Sequence, residues 1–226
     1  MGEPIRRRAV RDGQKETRRL AIVETGWQLF QKQMYEELTM LDVAKALGLV
    51  KGTVYLYFRS KEELFLAITE QQLEGWFAEV DAHLAAIEDS ATIENVVEVI
   101  CDALERRPGL TRLLAILHTI LEQNIELETA RRFKYMLKEH FEQTGALLED
   151  CLPFLSAGAG PHVLLQSHAL VIGLWHLSDP SAVIRELLQE PDLRLFEIAF
   201  APEFSQALSA LLYGLEQRAK KAKEKQ

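Results

Sequence analysis

A short segment of the chain carries the side chains best suited to contact with a charged partner. Residues 48–58 read GLVKGTVYLYF and lie between stretches whose apolar residues recur every three or four positions. A segment this short adds little to a core, yet it holds a lysine ammonium, a threonine hydroxyl and two tyrosine hydroxyls. Such groups donate to phosphate oxygens and meet base edges. The segment therefore indicates contact with a polyanion.

The pattern around this segment is helical over almost the whole chain. Leu, Ala and Glu dominate the 226 residues, and Gly and Pro number only 12 and 7. Apolar spacings of three and four are typical of amphipathic helices, and no convincing strand alternation is present. The sequence predicts an all-α protein. Its predicted divisions are a flexible basic arm at 1–14, a three-helix head at 15–60, a larger helical region at 61–219 and a lysine-rich tail at 220–226.

Charge is distributed unevenly along the chain. The formal net charge is −8, which taken whole argues against nucleic acid, because phosphate binding requires cationic surface. Residues 1–60, however, hold 11 Lys and Arg against 7 Asp and Glu, while the remainder holds 15 against 27. Basic charge is therefore concentrated at the N-terminal end, where the donor-rich segment lies.

Cysteine usage and hydropathy indicate a cytoplasmic protein. Cys101 and Cys151 lie far apart in helical stretches and form no framework of paired cysteines. The N-terminus has cations but no apolar region that ends in a cleavage site, and no run of about 18 apolar residues occurs. We expect a soluble protein that is neither exported nor membrane-embedded.

Capping and turn signals predict two short helices around the donor-rich segment. Thr39 is a suitable N-cap for a helix that stops at Gly48, a residue that accepts a positive φ. A second helix follows at 51–58. Ala44 is small where the two helices approach, and Val54 is an apolar anchor beneath the second helix. This is the helix-turn-helix arrangement, whose second helix lies in the DNA major groove.

Further helices are predicted on both sides of this pair. The one before it begins near Lys15 and carries one apolar face. The members of that face are Leu20, Val23, Trp27 and Phe30. Ser60 and Glu63 form a capping-box pattern, so the helix after the pair begins at Lys61.

The second of the short helices would present a cation and three hydroxyls outward. These residues are Lys51, Thr53, Tyr55 and Tyr57. Gly52 removes a side chain that would hold the backbone away from DNA. Lys61 adds a cation to the orphan N–H groups of a helix start, where both can face a phosphate.

The stretch LTMLDVAKALGLVKGTVYLYFRSKEELF resembles the DNA-binding signature of the TetR family of bacterial transcriptional regulators, and the resemblance covers residues 16–68. It implies phosphate contacts by Thr39, Tyr55 and Lys61, and groove contacts by Lys51, Gly52, Thr53 and Tyr57. Two positions depart from the family pattern. Val50 lacks a capping side chain, and Leu41 stands where some members read bases with a polar side chain. Readout then relies more on thymine methyl contacts or on DNA shape.

For residues 69–226 the resemblance rests only on length and helical character. It implies a homodimer that binds a palindromic operator and pairs through helices near 161–177 and 203–219. It also implies a ligand-responsive protein, more in keeping with a repressor, whose effector is small and hydrophobic or amphipathic. The candidate effector contacts, each equally suited to a core, are Trp76, Leu114, His118, Glu122, Tyr135, Phe141, Trp175 and His176.

Other interpretations stay open from the sequence. The cluster Arg6–Arg8 suits a DNA minor groove and equally a solvated tail, and Arg18 and Arg19 have the same standing. The six histidines lack metal-ligand spacing, and no residue is marked as a general acid or base. We therefore expect no metal, no cofactor and no enzymatic activity. The alternative to a regulator is an all-helical adaptor whose head does not bind DNA.

Overall fold

Every regular element in the described part of the chain is a helix. The computed structural model describes residues 3–87 and 91–224, with side chains from Gly13 onward, and no strand occurs within those ranges. The all-α prediction is confirmed. In the same ranges, no helix combines the length and the apolar character needed to cross a bilayer.

The helices divide into two compact units. The head unit comprises the chain up to Gln71 together with Leu117–Ala130. The body unit comprises Gln72–Ile116 and the chain from Arg131 onward. The sequence predicts a domain boundary after residue 60, and that boundary stays a prediction.

The head unit is built mainly from the N-terminal helices. Its elements are α1 (Glu3–Phe30), α2 (Met40–Ala46), α3 (Lys51–Tyr55), the first part of α4 (Lys61–Ala85) and a π-helical turn (Leu117–Leu121). The prediction that the first helix starts near Lys15 is wrong, because α1 includes the stretch predicted as a flexible arm. Pro4 lies in the first turn, where its missing N–H removes no helical hydrogen bond. The side chains of Arg6–Arg8 lie outside the part of the chain whose side chains the structure describes, so their DNA role stays a prediction.

Aromatic packing between α1 and α4 forms the centre of the head unit. The ring of Phe65 meets Phe30 edge-on at 5.3 Å and Tyr35 edge-on at 4.8 Å, measured between centroids. The two helices approach closely at Gly26, where an added Cβ would lie 2.9 Å from Ile68 Cδ1. Because Gly26 has no side chain, α1 and α4 come close together at this point.

The inward face of α1 differs from the predicted one at Leu20. That side chain is 49% exposed, whereas Ile22, Gly26 and Phe30 are buried. The buried residues are four positions apart, so they lie along one stripe of the helix. Leu20 precedes Ile22 by two positions and therefore points away from that stripe.

The body unit contains the remaining helices. They are the second part of α4, α5 (Ile93–Glu105), α6 (Pro108–Ile116), α7 (Leu127–Cys151), which begins within the head unit, α8 (Ala159–Ser178), α9 (Ala182–Leu187), a 3₁₀ turn (Pro191–Phe196) and α10 (Phe200–Lys223). The helices predicted near 161–177 and 203–219 are confirmed, and α10 extends into the predicted tail.

The last helix buries part of the surface that the sequence offers for dimerisation. α10 packs against α5 and α8, and its residues Phe204, Leu208 and Leu212 are almost fully buried within the subunit. These three side chains are therefore not available to the dimer pairing expected near 203–219, because they fill the interior of the body unit. Leu165 on α8 is 57% exposed and remains available for contact with a partner subunit.

A glycine contact brings α7 and α8 together. An added Cβ on Gly160 would lie 2.0 Å from the carbonyl oxygen of Gly145, and one on Gly145 would lie 2.6 Å from the Pro161 nitrogen. Gly158 has a φ of 82° and precedes α8, and the Gly160 N–H donates to Glu149 Oε1 at 2.8 Å. Residues 156–161, SAGAGP, thus form the end of the connection between α7 and α8 and the first residues of α8.

One carboxylate joins α4 to the end of α5. Glu79 accepts hydrogen bonds from Arg106 Nε at 2.8 Å and from Arg107 Nη1. Arg107 Nη2 also donates to the Gly75 carbonyl at 3.2 Å. Burial alone would raise the pKa of Glu79, but the two guanidinium groups outweigh it and hold that pKa below its usual value.

Both cysteines are free thiols. Cys101 lies on the buried side of α5, and burial raises its pKa to about 11. Cys151, at the end of α7, directs its sulfur toward the Leu84 carbonyl at 3.6 Å. Each thiol therefore serves as a small packing group.

Substitution of Gly160 by alanine should destabilise the body unit. The new methyl group would meet backbone that cannot move aside, so we expect Gly160→Ala to lower the free energy of unfolding by about 1–3 kcal/mol or more. Gly75→Ala is the matched control, because that glycine lies inside α4 with nothing within 4 Å of an added Cβ. It should raise the free energy by up to about 1 kcal/mol. Urea titration measures both, and equal effects would contradict the close contact.

Candidate nucleic-acid interface

A Schellman motif ends α2 and sets the turn into α3. Gly48 has a φ of 65°, in the left-handed region. Its N–H donates to the Lys45 carbonyl at 3.1 Å, and the Leu49 N–H donates to the Ala44 carbonyl at 2.8 Å. These are the two hydrogen bonds that define the motif. The predicted helix stop at Gly48 is confirmed.

A capping box begins α2. The Thr39 hydroxyl accepts the Asp42 N–H at 3.3 Å and donates to Asp42 Oδ2 at 2.6 Å, and the Thr39 N–H donates to the same oxygen at 2.9 Å. Thr39 is therefore the N-cap, as predicted. Its hydroxyl proton is already engaged with the carboxylate, and the phosphate contact expected of Thr39 stays a prediction.

Helix α3 presents polar groups on one side and buries an anchor on the other. Val54 is fully buried, while Lys51 and Tyr55 are exposed. The Lys51 ammonium lies 5.5 Å from the centroid of the Tyr55 ring, so the two side chains, four residues apart, support each other as a cation–π pair. Thr53 and Tyr57 are half-buried at the sides of this pair.

Lys61 at the start of α4 faces inward in this structure. Its ammonium lies 3.7 Å from the centroid of the Tyr35 ring and donates to the Tyr35 carbonyl. Burial lowers the pKa of Lys61, and the nearby carboxylates of Glu36 and Glu62 partly offset that effect. The Tyr35 hydroxyl in turn donates to Glu62 at 3.2 Å. A phosphate contact by Lys61 stays a prediction, and it requires the ammonium to leave the ring.

Two apolar side chains are exposed on the α3 segment. Leu56 is 79% exposed and Val50 is 74% exposed. Val50 occupies the N-cap without a side-chain hydrogen bond, as predicted from its type. Leu56 is absent from the predicted DNA contacts. The sequence signal for its exposure is its position two residues after Val54, because such spacing places Leu56 on the opposite side of the helix from the buried anchor.

A groove that contains two cationic side chains and Tyr57 lies within the head unit. It is lined by Gly13, Gln14, Lys15, Thr17, Arg18 and Ala21 of α1, by Leu47 and Leu49 of the turn, and by Tyr57. No acidic side chain is among these residues. Lys15 and Arg18 are exposed and make no ion pair with a side chain that the structure describes. The sequence assigns a possible DNA role to Arg18 and overlooks Lys15.

The residues after α3 tie the head to the segment that follows the π-helical turn. The Arg59 guanidinium pairs with Glu126, and the Ser60 hydroxyl donates to the Asn124 carbonyl at 3.2 Å. Ser60 also accepts the Glu63 N–H at 3.1 Å, which is half of the predicted capping box. The Glu63 carboxylate reaches the Arg59 N–H at 2.8 Å and not that of Ser60.

The candidate effector residues of the body unit occupy different surroundings. Trp76 and Leu114 are buried, and the Trp76 indole nitrogen has no hydrogen-bond partner among the residues that the structure describes. Phe141 meets Phe77 at 5.9 Å between ring centroids. Tyr135 is 61% exposed. The buried residues Trp76 and Leu114 therefore differ from the exposed Tyr135 in access to solvent.

The remaining effector candidates make contacts within their own units. In the body unit, Trp175 meets Phe200 edge-on at 5.8 Å, and His176 Nε2 donates to the Ala115 carbonyl at 3.1 Å. In the head unit, the exposed His118 ring lies 3.0 Å from the Glu122 carboxylate. The ligand role of all eight candidates stays a prediction. Across the described residues, no group of three or more His, Cys, Asp or Glu is arranged to hold a metal ion.

Family models match most of the chain. Residues 22–68 match the model of bacterial regulatory proteins of the tetR family. Residues 70–219 match the model of the tetracyclin repressor-like C-terminal domain. Together these models cover both the helix-turn-helix and the helices that follow it.

Two proteins of Bacillus subtilis that are similar in sequence to this chain are regulators. An uncharacterized HTH-type transcriptional regulator, YfiR from Bacillus subtilis, is 31% identical over 90 residues, which are 40% of this chain and 44% of that protein. The fatty acid metabolism regulator protein of Bacillus subtilis is 20% identical over 137 residues, 61% of this chain and 69% of that one. The chain thus spans about half the length of YfiR.

A solved structure shows the same fold. It is the transcriptional regulator FadR from Bacillus subtilis in complex with stearoyl-CoA, with a TM-score of 0.52 and 16% identity, covering 85% of this chain and 96% of that one. At this identity the likeness concerns the fold alone.

Loss of the Thr39 cap should cost stability in a pH-dependent way. Hydrogen bonds from Thr39 lower the pKa of Asp42, so their contribution is complete above the unfolded pKa of about 3.9 and is lost as pH falls through the folded value. We expect Thr39→Ala to lower the free energy of unfolding by about 1 kcal/mol at pH 6 and by less at pH 3.

The control for this experiment is Ser181→Ala. Ser181 caps α9 by accepting the Ile184 N–H at 3.5 Å, and this partner does not titrate. Its cost should therefore change less between pH 6 and pH 3. Denaturant titration at both pH values gives the two differences, and a Thr39→Ala cost that does not change with pH would contradict the capping interaction with Asp42.

Proposed function

The chain belongs to the TetR family of bacterial transcriptional regulators, and on that premise we propose that it is a homodimeric, ligand-responsive repressor that binds a palindromic operator. DNA binding by the head unit follows from the family. The observation that carries the assignment to α3 is its division into a buried Val54 and an exposed pair, Lys51 and Tyr55. A helix divided in this way offers donors to a duplex while its anchor holds it on the head.

Dimerisation allows a short helix-turn-helix to bind DNA selectively. One head contacts few base pairs, whereas two heads related by a two-fold axis read half-sites about 34–36 Å apart. We assign the pairing to the outer faces of α8 and α10, near 161–177 and 203–219. The exposed Leu165 and the half-buried Leu211 and Leu215 support this assignment, while the buried residues of α10 hold the subunit together.

The effector in this proposal is an amphipathic molecule that resembles a long-chain acyl-CoA. The fatty acid metabolism regulator is a relative, and the FadR structure contains stearoyl-CoA. The buried indole nitrogen of Trp76 has no hydrogen-bond partner in the part of the chain that the structure describes, and a polar group of a ligand would satisfy it. Effector binding would favour one of two conformations and so change DNA affinity.

Substitutions on α3 should separate groove contacts from phosphate contacts. The probe is a duplex enriched by the full-length protein from a random-sequence pool. Lys51→Ala should weaken binding about ten-fold and relax the preference at one position of each half-site, while Tyr55→Phe should weaken all sequences similarly. Lys32→Ala is the control, because Lys32 is an exposed lysine that lies outside α3, two residues after the C-terminal end of α1. Fluorescence anisotropy measures the affinities.

The outcomes of this experiment are distinct. Failure to enrich any duplex would contradict the repressor assignment and favour the adaptor. Enrichment with unchanged affinity and preference in both α3 variants would contradict only the assignment of Lys51 and Tyr55.

Stearoyl-CoA should stabilise the protein and release it from the enriched duplex. A ligand at 100 times its Kd adds about 2.7 kcal/mol to the free energy of unfolding, so a rise in Tm of several degrees is expected. Free CoA and free stearate are the controls, because each lacks one half of the amphipathic molecule. A Tm and a DNA affinity that are unchanged by stearoyl-CoA would exclude this effector class.

A further inference from the structure

The exposed Leu56 lies at the end of the helix that carries the exposed polar side chains of Lys51 and Tyr55. It follows the last residue of α3 and is the C-cap, with helical backbone angles of φ −73° and ψ −18°. At 79% exposure it contributes little to the core of the head unit, which Val54 anchors from the other side. Lys51 and Tyr55, exposed on the same helix, provide charge and a hydroxyl.

Gly52 leaves space beside this leucine. Residues four apart lie on the same side of a helix, and each side chain leans toward the preceding turn. Gly52 lies on the side of the helix that Leu56 occupies, and an added Cβ on it would meet nothing within 4 Å, so the space there is open. The result is a small apolar surface through which a partner can approach the backbone closely.

The chemistry of the major groove identifies what this surface can meet. Base edges in that groove present hydrogen-bond donors and acceptors, and their apolar group is the 5-methyl of thymine. Phosphates on either side attract cations, and Lys51 supplies one. An apolar centre with a cationic and hydroxyl-bearing rim is complementary to a thymine-containing groove.

We propose that Leu56, on the same side of the helix as the open position Gly52, reads thymine methyl groups in each operator half-site. Val50, 74% exposed at the start of the same helix, provides a second apolar contact. This inference rests on the proposed DNA binding and deepens it, because it names the base that the recognition helix selects. It also gives a role to a residue outside the family-derived contacts.

Replacement of thymine by uracil tests the proposal directly, because uracil differs from thymine only in lacking the methyl group. The probes are the duplex enriched by the wild-type protein and copies in which single thymines are replaced by uracil. At one or two positions of each half-site, the wild-type protein should bind the uracil duplex about four-fold more weakly, the factor expected for one buried methyl group. Anisotropy titrations at fixed salt give the ratio.

The variants assign the effect to Leu56. Leu56→Ala should bring the thymine-to-uracil ratio at those positions below about 1.5-fold, since the contacting side chain is gone. Leu127→Ala is the matched control, because Leu127 is 73% exposed in the head unit outside the helix-turn-helix and should keep the wild-type ratio. Thermal melting of both variants checks that the fold is retained, as expected for exposed leucines.

Each result has a distinct meaning. A wild-type protein that binds thymine and uracil duplexes equally, or a Leu56→Ala protein that keeps the ratio, would overturn the methyl contact. A Leu56→Ala protein that loses affinity equally for both duplexes would also overturn it, since the leucine would then act without regard to the base. Absence of any enriched duplex would overturn the proposed function itself.

Discussion

The left-handed backbone of Gly48 is the constraint on which the head unit depends. The two N–H groups at this turn are bound to carbonyls at the end of α2, so the direction of the chain into α3 is set. A residue with a Cβ would cost about 1–2 kcal/mol in that conformation. α3 has five residues and no side-chain cap, and a helix so short has little stability of its own. Its placement therefore comes from the turn and from the buried Val54.

Much of the fold could be predicted because its signals are local. Thr39, Gly48 and Val50 behave as their residue types indicate, and most helix positions follow from apolar spacing. Errors arose where packing between distant residues decides the outcome. The stripe of α1 depends on where Gly26 meets α4, and the interior of the body unit claims three residues of α10 whose pattern suits a dimer face equally well.

The polar members of the candidate DNA face are recognisable by residue type, and its exposed leucine only by position. Lys51 and Tyr55 are donors by type, whereas Leu56 has the type of a core residue and is marked as exposed only by its position two residues after the predicted anchor Val54. Lys61 illustrates the reverse case. A lysine at a helix start suggests a phosphate contact, yet the ring and carbonyl of Tyr35, 26 residues earlier, hold its ammonium in this conformation. Side-chain orientation of this kind depends on tertiary neighbours.

The burial of Cys101 limits the signals to which the protein can respond. With its pKa raised to about 11, the thiol holds a reactive anion in roughly one molecule in ten thousand at neutral pH. Peroxides and electrophiles react with that anion, so this residue is chemically quiet. A response to oxidative stress would therefore need another route than modification of Cys101.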